Sequence, residues 1–236
     1  MTLRQAGLTG QDHNAAITQR DLDMLRYATR HGVCTADQLT RRFFSSDSAC
    51  WRRLRVLDRL GLVIRRRTWW QGPQVVMATP LGAQLADADL PPARLNLPEL
   101  EHALALVDLS ELLLRAHPGS QWVTERELRR DAIRRHRQSG MEPRPVRIRT
   151  PDGVLVVGNK RTAVELELTS KRTDQYEQLL RAYAANRSVD GVWFFARSAA
   201  GRDRLTKLIE RYQLTDFATA RPWTAPLRRP DLALEA

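Results

Sequence analysis

The sequence predicts an α+β fold in two modules, and three observations carry that expectation. Residues 17–60 place apolar side chains at helical spacing, punctuated by capping residues into short segments. Residues 61–80 and 151–168 each show two apolar runs around a turn signal, the pattern of a hairpin. The proline-rich stretch Leu90–Pro98 separates the two patterns. The expected division is therefore 1–90 for the first module, 99–215 for the second, and an extended tail over 216–236.

In the first module Ile17, Leu22, Leu25 and Ala28 fall on one helical stripe, with Thr18 as N-cap and His31-Gly32 as the end. Thr35 can cap a second helix, ADQLTRRFF, and Ser46 or Asp47 a third that runs through Leu60 to a stop at Gly61. LGLVIRRRTWWQGPQVVMATPLG then reads as a strand, a turn at Gln71-Gly72-Pro73, a returning strand and a helix starting at Thr79-Pro80. Three short helices followed by such a hairpin make a winged helix-turn-helix.

Arginine position gives this module its expected function. Arg41 and Arg42 end the second helix, the third carries Trp51, Arg52, Arg53, Arg55 and Arg59, and the wing adds Arg65, Arg66 and Arg67. Residues 41–67 hold nine arginines against Asp47 and Asp58. A helix in the major groove and a basic wing on the backbone would use these as phosphate and base-edge contacts with double-stranded DNA. The competing reading is that Leu54, Leu57 and Leu60 simply pack the helix and its arginines form a solvated face. Winged helices also serve as protein-binding modules, so charge is the discriminator. Trp69 and Trp70 are expected to buttress the wing by packing rather than to stack on a base.

In the second module Leu100, Leu104, Val107, Leu109, Leu112 and Leu113 form a helical stripe that ends by His117-Pro118-Gly119. Trp122–Leu128 reads as a strand, and the basic Arg129–Met141 as a helix extension or a loop. A hairpin follows, then a helix over Thr173–Asn186, the strand Gly191–Ala196 and a helix near Gly201–Tyr212.

The hairpin PDGVLVVGNKRTAVELELTSK concentrates the chemistry. Glu165 and Glu167 alternate with Val164, Leu166 and Leu168, so both acids leave the strand on one face. With the turn centred on Asn159-Lys160, Asp152 lies opposite Glu167 and diagonal to Glu165. Like charges facing one another across a strand pair are unfavourable, so the cluster asks for a cation, a proton or a basic neighbour.

Composition bounds the alternatives. The chain has 236 residues, 42% of them hydrophobic, and a net charge of +11 carried almost wholly by arginine, with Lys160, Lys171 and Lys207 the only lysines. That balance suits a polyanionic partner. Cys34 and Cys50 have no CxxC spacing, and His13, His31, His102, His117 and His136 no metal-ligand spacing. No signal-peptide core or membrane-length apolar run is present in the sequence, so a soluble cytoplasmic protein with no membrane partner is expected. Phosphate-binding glycine loops, nucleophile elbows and recognisable cysteine–histidine pairs are lacking as well.

The order helix, three strands, helix, strand resembles the αβββαβ core of the PD-(D/E)xK nuclease superfold. The winged helix, then PDGVL, AVELELTSK and a helix ending LLRAYAA, is similar to the replication-relaxation family of plasmid and mobile-element proteins, over roughly residues 15–212. The superfold implies that an aspartate and a glutamate hold one or two Mg²⁺ while a lysine activates water. Carried over, Asp152 takes the aspartate place, Glu165 the glutamate place, and Glu167 stands where the lysine should be. Lys171 can reach back from the strand end, and Glu111 can supply a further acid.

Three readings of the second module stay open. One is a Mg²⁺-dependent endonuclease or nickase in which Asp152, Glu165 and Glu167 bind the metal and Lys171 assists. Another is a degenerate nuclease-like platform for DNA binding or for pairing with a second copy of the chain. The last is a solvated strand face whose acids pair with Arg161 or Arg172. The overall expectation is a double-stranded DNA-binding protein of a bacterial mobile element, acting in transcriptional regulation, replication or transfer, with the endonuclease as the alternative. Nine arginines within 126–149 can also neutralise a DNA backbone near the acids.

Overall fold

The computed structural model of the chain describes residues 16–69, 72–138, 150–185 and 188–225. Among these the fold is α+β, with eight helices and two sheets, one of three strands and one of five.

The N-terminal unit runs α1 (Gln19–His31), β1 (Cys34–Thr35), α2 (Ala36–Phe43), α3 (Asp47–Arg59), β2 (Val63–Arg67), β3 (Gln74–Ala78) and α4 (Pro80–Leu85). Hydroxyl caps start each helix, because the first N–H groups of a helix have no partner inside it. Thr18 and Asp21 exchange backbone and side-chain hydrogen bonds in a capping box, as do Thr35 and Gln38. Ser46 accepts from the Ala49 N–H, and Thr79 from the Gly82 N–H behind a proline at the first helical turn. Gly61, at φ +67°, turns the chain out of α3. The sheet order is β1-β3-β2, all antiparallel. Met24, Leu25, Leu39, Leu54 and Leu57 form its buried centre.

The second unit comprises α5 (Leu100–Ala116), β4 (Gln121–Thr124), α6 (Glu125–Gln138), β5 (Gly153–Val157), β6 (Lys160–Glu167), α7 (Thr173–Ala184), β7 (Gly191–Ala196), α8 (Ala199–Arg211) and β8 (Ala218–Pro222). Its sheet has the order β4-β5-β6-β7-β8. β4, β5 and β6 are antiparallel neighbours, whereas β6, β7 and β8 run parallel.

Several expectations need correction. The strand expected over Trp122–Leu128 stops at Thr124, because Thr124 and Glu127 form a capping box that starts α6. Residues 139–149, including the arginines there, and Asn186 lie outside the described residues. The hairpin turn sits on Gly158-Asn159, with Val157 facing Lys160, one residue earlier than expected. Gly158 alone takes a positive φ, +57°, as a two-residue turn with glycine in its first position requires. Gly153 therefore pairs with Val164, which brings Asp152 level with Glu165 rather than Glu167. Beyond residue 215 the chain is not merely extended, since Ala218–Pro222 completes the sheet and Trp223 packs in its core. Leu112 is 46% exposed and does not belong to the buried stripe, and Trp69, 56% exposed, lays its ring against Gly72 in the β2–β3 connection rather than packing in the core. Trp70 and Gln71 lie outside the described residues.

Helix α5 belongs to both units. Leu100 and Leu104 pack against Val33, Val75 and Met77, and Val107 enters the N-terminal core. One turn further on, Leu109 and Leu113 pack with Trp122, Leu155, Val164 and Leu166 under the larger sheet. Polar ties accompany the shared helix: the Gln38 side-chain amide donates to the Leu104 carbonyl at 2.8 Å, Tyr27 Oη to Glu111 at 3.0 Å, and Arg30 to Glu127 at 2.8 Å.

Candidate functional site

Two sets of charged residues were candidates, and the structure treats them oppositely. On α3 the apolar residues Cys50, Leu54 and Leu57 turn inward. The helical period then sends Arg52, Arg55 and Arg59 outward on the opposite stripe, where all three are exposed. Arg66 and Arg67 are exposed on β2, an edge strand of the three-stranded sheet. Among the described residues, Arg52, Arg55, Arg59 and Arg66 make no hydrogen bond or ion pair.

The remaining arginines of the set hold the fold together. Arg53, with its side chain 13% exposed, pairs at 2.5 Å with the fully buried carboxylate of Asp21 and donates to the Ala16 carbonyl. Burial would raise the Asp21 pKa, but the Arg53 and Thr18 hydrogen bonds overcome it and hold the carboxyl below its usual value. Arg65 pairs with Asp58 at 2.8 Å, fixing β2 to the end of α3. Arg41 bridges Asp37 and Asp108, and Arg42 reaches Glu111 at 3.3 Å while lying over the Tyr27 ring, so both fasten α2 to α5. Trp51 is partly buried against the N-terminal core.

The acids of the second unit are engaged one by one. Gly153 leaves room for the Trp122 ring, which a Cβ there would meet at 2.0 Å, and this close contact sets Asp152 at the head of β5. Asp152 Oδ2 accepts the Leu166 N–H at 2.7 Å and lies 3.3 Å from His102 Nε2. His102, from α5, also contacts the Leu166 carbonyl at 3.1 Å. Burial opposes protonation of this imidazole, yet Asp152 prevails and raises its pKa to about 9. Glu165 is buried and accepts from Tyr183 Oη of α7. Glu167, 3% exposed, accepts from Lys171. Burial raises the Glu167 pKa and Asp152 adds to that, while Lys171 and His102 oppose it. Glu125, at the start of α6, is likewise raised by burial and by Asp152.

Other sequence expectations for this cluster do not hold. The Arg161 guanidinium turns to the Ser188 carbonyl while its backbone N–H donates to Asp190, and Arg172 pairs with Asp174, so neither supplies the counter-charge. Glu111 faces Tyr27 and Arg42 in the N-terminal unit. It stands nine residues from His102 along α5, roughly 13 Å at 1.5 Å per residue.

His102, Glu125 and Tyr183 were missed. Tyr183 was findable, since Tyr176, Leu179, Leu180 and Tyr183 form the buried stripe of α7 and aim a phenol at the sheet. His102 carries no comparable signal.

The residues present do not fit a metal centre as they are arranged. Among the described residues no group of three His, Cys, Asp or Glu side chains is placed to hold an ion. Asp152, Glu165 and Glu167 each already have a protein donor. What the arrangement achieves is an internal donor for each acid: His102 for half-buried Asp152, Tyr183 for Glu165 and Lys171 for Glu167.

No protein-family model matches the chain, and no curated protein or solved structure is significantly similar to it. No described helix is long and apolar enough to cross a membrane.

Proposed function

We propose that this chain is a double-stranded DNA-binding protein whose N-terminal unit acts as a winged helix-turn-helix and whose second unit is a nuclease-like scaffold without a working metal site. The observation that carries the reading is the outward row Arg52, Arg55 and Arg59 on α3, which no described protein acid occupies. An arginine with no protein partner keeps its full capacity for phosphate or for a guanine edge. The Arg65–Asp58 pair supports the same reading, because it ties the β2–β3 hairpin to the end of α3, as a wing would require. A role in transcriptional regulation, replication or transfer on a bacterial mobile element rests on the sequence resemblance alone.

Wild-type protein should retard duplex DNA in a mobility-shift assay. The Arg52→Ala/Arg55→Ala/Arg59→Ala variant should bind about 100-fold more weakly at 0.1 M salt. Unchanged affinity in that variant would remove the assigned surface.

The second reading, a Mg²⁺ endonuclease using Asp152, Glu165 and Glu167, draws on the proximity of Asp152 and Glu167, which raises the Glu167 pKa. It requires His102 and Lys171 to give way to the metal. Supercoiled plasmid incubated with the protein and Mg²⁺ or Mn²⁺ should stay intact. Nicking that disappears in Asp152→Ala and Glu165→Ala would reverse the order of the two readings.

A further inference from the structure

The geometry points to a second duplex-DNA contact, the solvent-facing surface of α6, where Arg129, Arg134, Arg135 and Arg137 would hold backbone phosphates. The inference rests on the DNA-binding reading but concerns a different unit of the molecule. Helix α6 connects β4 to β5 along the chain, and Ala132 is its one buried residue. Glu127 and Arg126 on its inner side fasten it to the end of α1, through Arg30 and the Thr29 carbonyl. Much of the rest of its surface faces solvent.

That surface is basic along its length. Arg129, Arg134, Arg135 and Arg137 are exposed, and Arg130 is half-buried beside them. Arg129, Arg130, Arg134 and Arg137, with Asp89 and Pro91, border a groove of about 650 Å³ in which Ile133 is 50% exposed, and Arg135 lies outside it. Arg130 is held by Asp131 at 2.7 Å and by the Asp89 carbonyl at 3.1 Å, but the acids within reach do not lock the four exposed arginines. Arg134 meets Asp89 at 3.2 Å with both groups mostly exposed, at 62% and 71%. Arg129 meets Glu125 at 2.6 Å and is 64% exposed. Arg135 and Arg137 make no hydrogen bond or ion pair among the described residues. Exposed pairs of this sort are weak and exchange readily for a stronger anion. Arg53, sealed onto buried Asp21, shows what a structural arginine in this chain looks like instead.

Charge complementarity selects the occupant. A duplex presents one negative charge per about 1.7 Å of axis, and guanidinium forks match phosphate oxygens in pairs. A contact made to phosphates alone adds affinity without sequence preference. α6 would therefore strengthen binding to any duplex, whereas α3 would supply recognition. An acidic peptide is the competing occupant, and the test includes it.

The test measures fluorescence anisotropy of full-length protein with a 30-base-pair duplex across a sodium chloride series. In Arg129→Ala/Arg134→Ala/Arg135→Ala/Arg137→Ala, affinity should fall at least tenfold. The slope of log affinity on log salt should become shallower by about two to three, at roughly 0.9 per lost phosphate contact. The matching Arg→Lys variant should keep most of both, because lysine serves a phosphate as a point charge. Thermal unfolding of each variant should match wild type, which separates loss of contact from loss of fold.

A wild-type slope in the α6 alanine variant, with binding lost in the α3 variant, overturns this inference and leaves the proposed function standing. The opposite pattern supports the inference and removes α3 as the recognition surface. Absence of duplex binding by the wild type overturns both. Equally tight, α6-dependent binding of a poly-glutamate 20-mer would assign the face to peptide and overturn the inference.

Discussion

The outward face of α3 and the acid cluster at the start of β5 and the end of β6 are both dense in charge, yet the chain handles them in opposite ways. On α3, Arg52, Arg55 and Arg59 meet no described acid. At the sheet, each of Asp152, Glu165 and Glu167 meets a donor from a different element: His102 on α5, Tyr183 on α7 and Lys171 beyond β6. Charge left unmatched on a surface is available to an external partner. Charge matched inside, where desolvation makes an unpaired ion costly, stabilises a fold. Position relative to the partner, rather than residue type, decides which role an arginine or a glutamate takes here.

The same contrast exists within α3, and the largest expected stability effect follows from it. Replacing Asp21 with Asn leaves the Arg53 guanidinium unpaired at a nearly buried position, which should cost about 3 kcal/mol by urea unfolding. Arg52→Ala, one residue away and exposed, should change stability by less than about 0.5 kcal/mol. Comparable losses in the two variants would erase the distinction between locked and unmatched arginines. The pH behaviour follows the same logic. The Asp21 pKa is lowered in the fold, so its contribution is present above pH 3.8 and disappears as pH falls through the lower folded value.

A smaller effect should come from His102. Its pKa rises from 6.5 to about 9 beside Asp152, so the stabilisation is complete below about pH 6.5 and is lost as pH climbs through about 9. The side chain is 34% exposed, and solvent screening keeps the swing modest. Wild-type unfolding midpoints should fall between pH 6.5 and 9, and His102→Gln should flatten that fall. An identical profile in the variant would mean that the Asp152 pair does not neutralise the cluster as described.

Much of the N-terminal unit was legible in the sequence because its signals are local. Thr18, Thr35, Ser46 and Thr79 announce helix starts through bonds spanning three residues, and Gly61 announces an end. β1, only Cys34–Thr35, is too short for any alternation to show, and its pairing with Val75 and Val76 is a tertiary fact. The Thr124-Glu125-Arg126-Glu127 capping box was readable but hidden by the apolar pair Trp122-Val123, which suggested a longer strand. β8 was obscured by Arg221 and Pro222, which suit the outer strand of a sheet and weaken any strand pattern.

The candidate site was legible in part. Strand alternation placed Glu165 and Glu167 on one face, and Lys171 lies only four residues beyond Glu167, but Tyr183 reaches Glu165 from a helix 18 residues away and His102 reaches Asp152 from far earlier in the chain. The Gly158-Asn159 turn moved Asp152 by two residues in register, which kept its face and changed its neighbour. Likewise, Arg41, Arg42 and Arg65 read as one basic patch with Arg52 and Arg55, since nothing local reveals that Asp108, Glu111 and Asp58 lie against them.

A paired comparison of two triple variants tests the central claim most directly, with duplex affinity and thermal midpoint measured on the same preparations. Arg52→Ala/Arg55→Ala/Arg59→Ala should lose about 100-fold in affinity and keep its midpoint, whereas Arg41→Ala/Arg42→Ala/Arg65→Ala should lower the midpoint by several degrees. The second variant should bind within about threefold of wild type at a temperature where it is folded. If the second set governs DNA affinity and the first set governs stability, unmatched charge is not what marks the binding face of this protein.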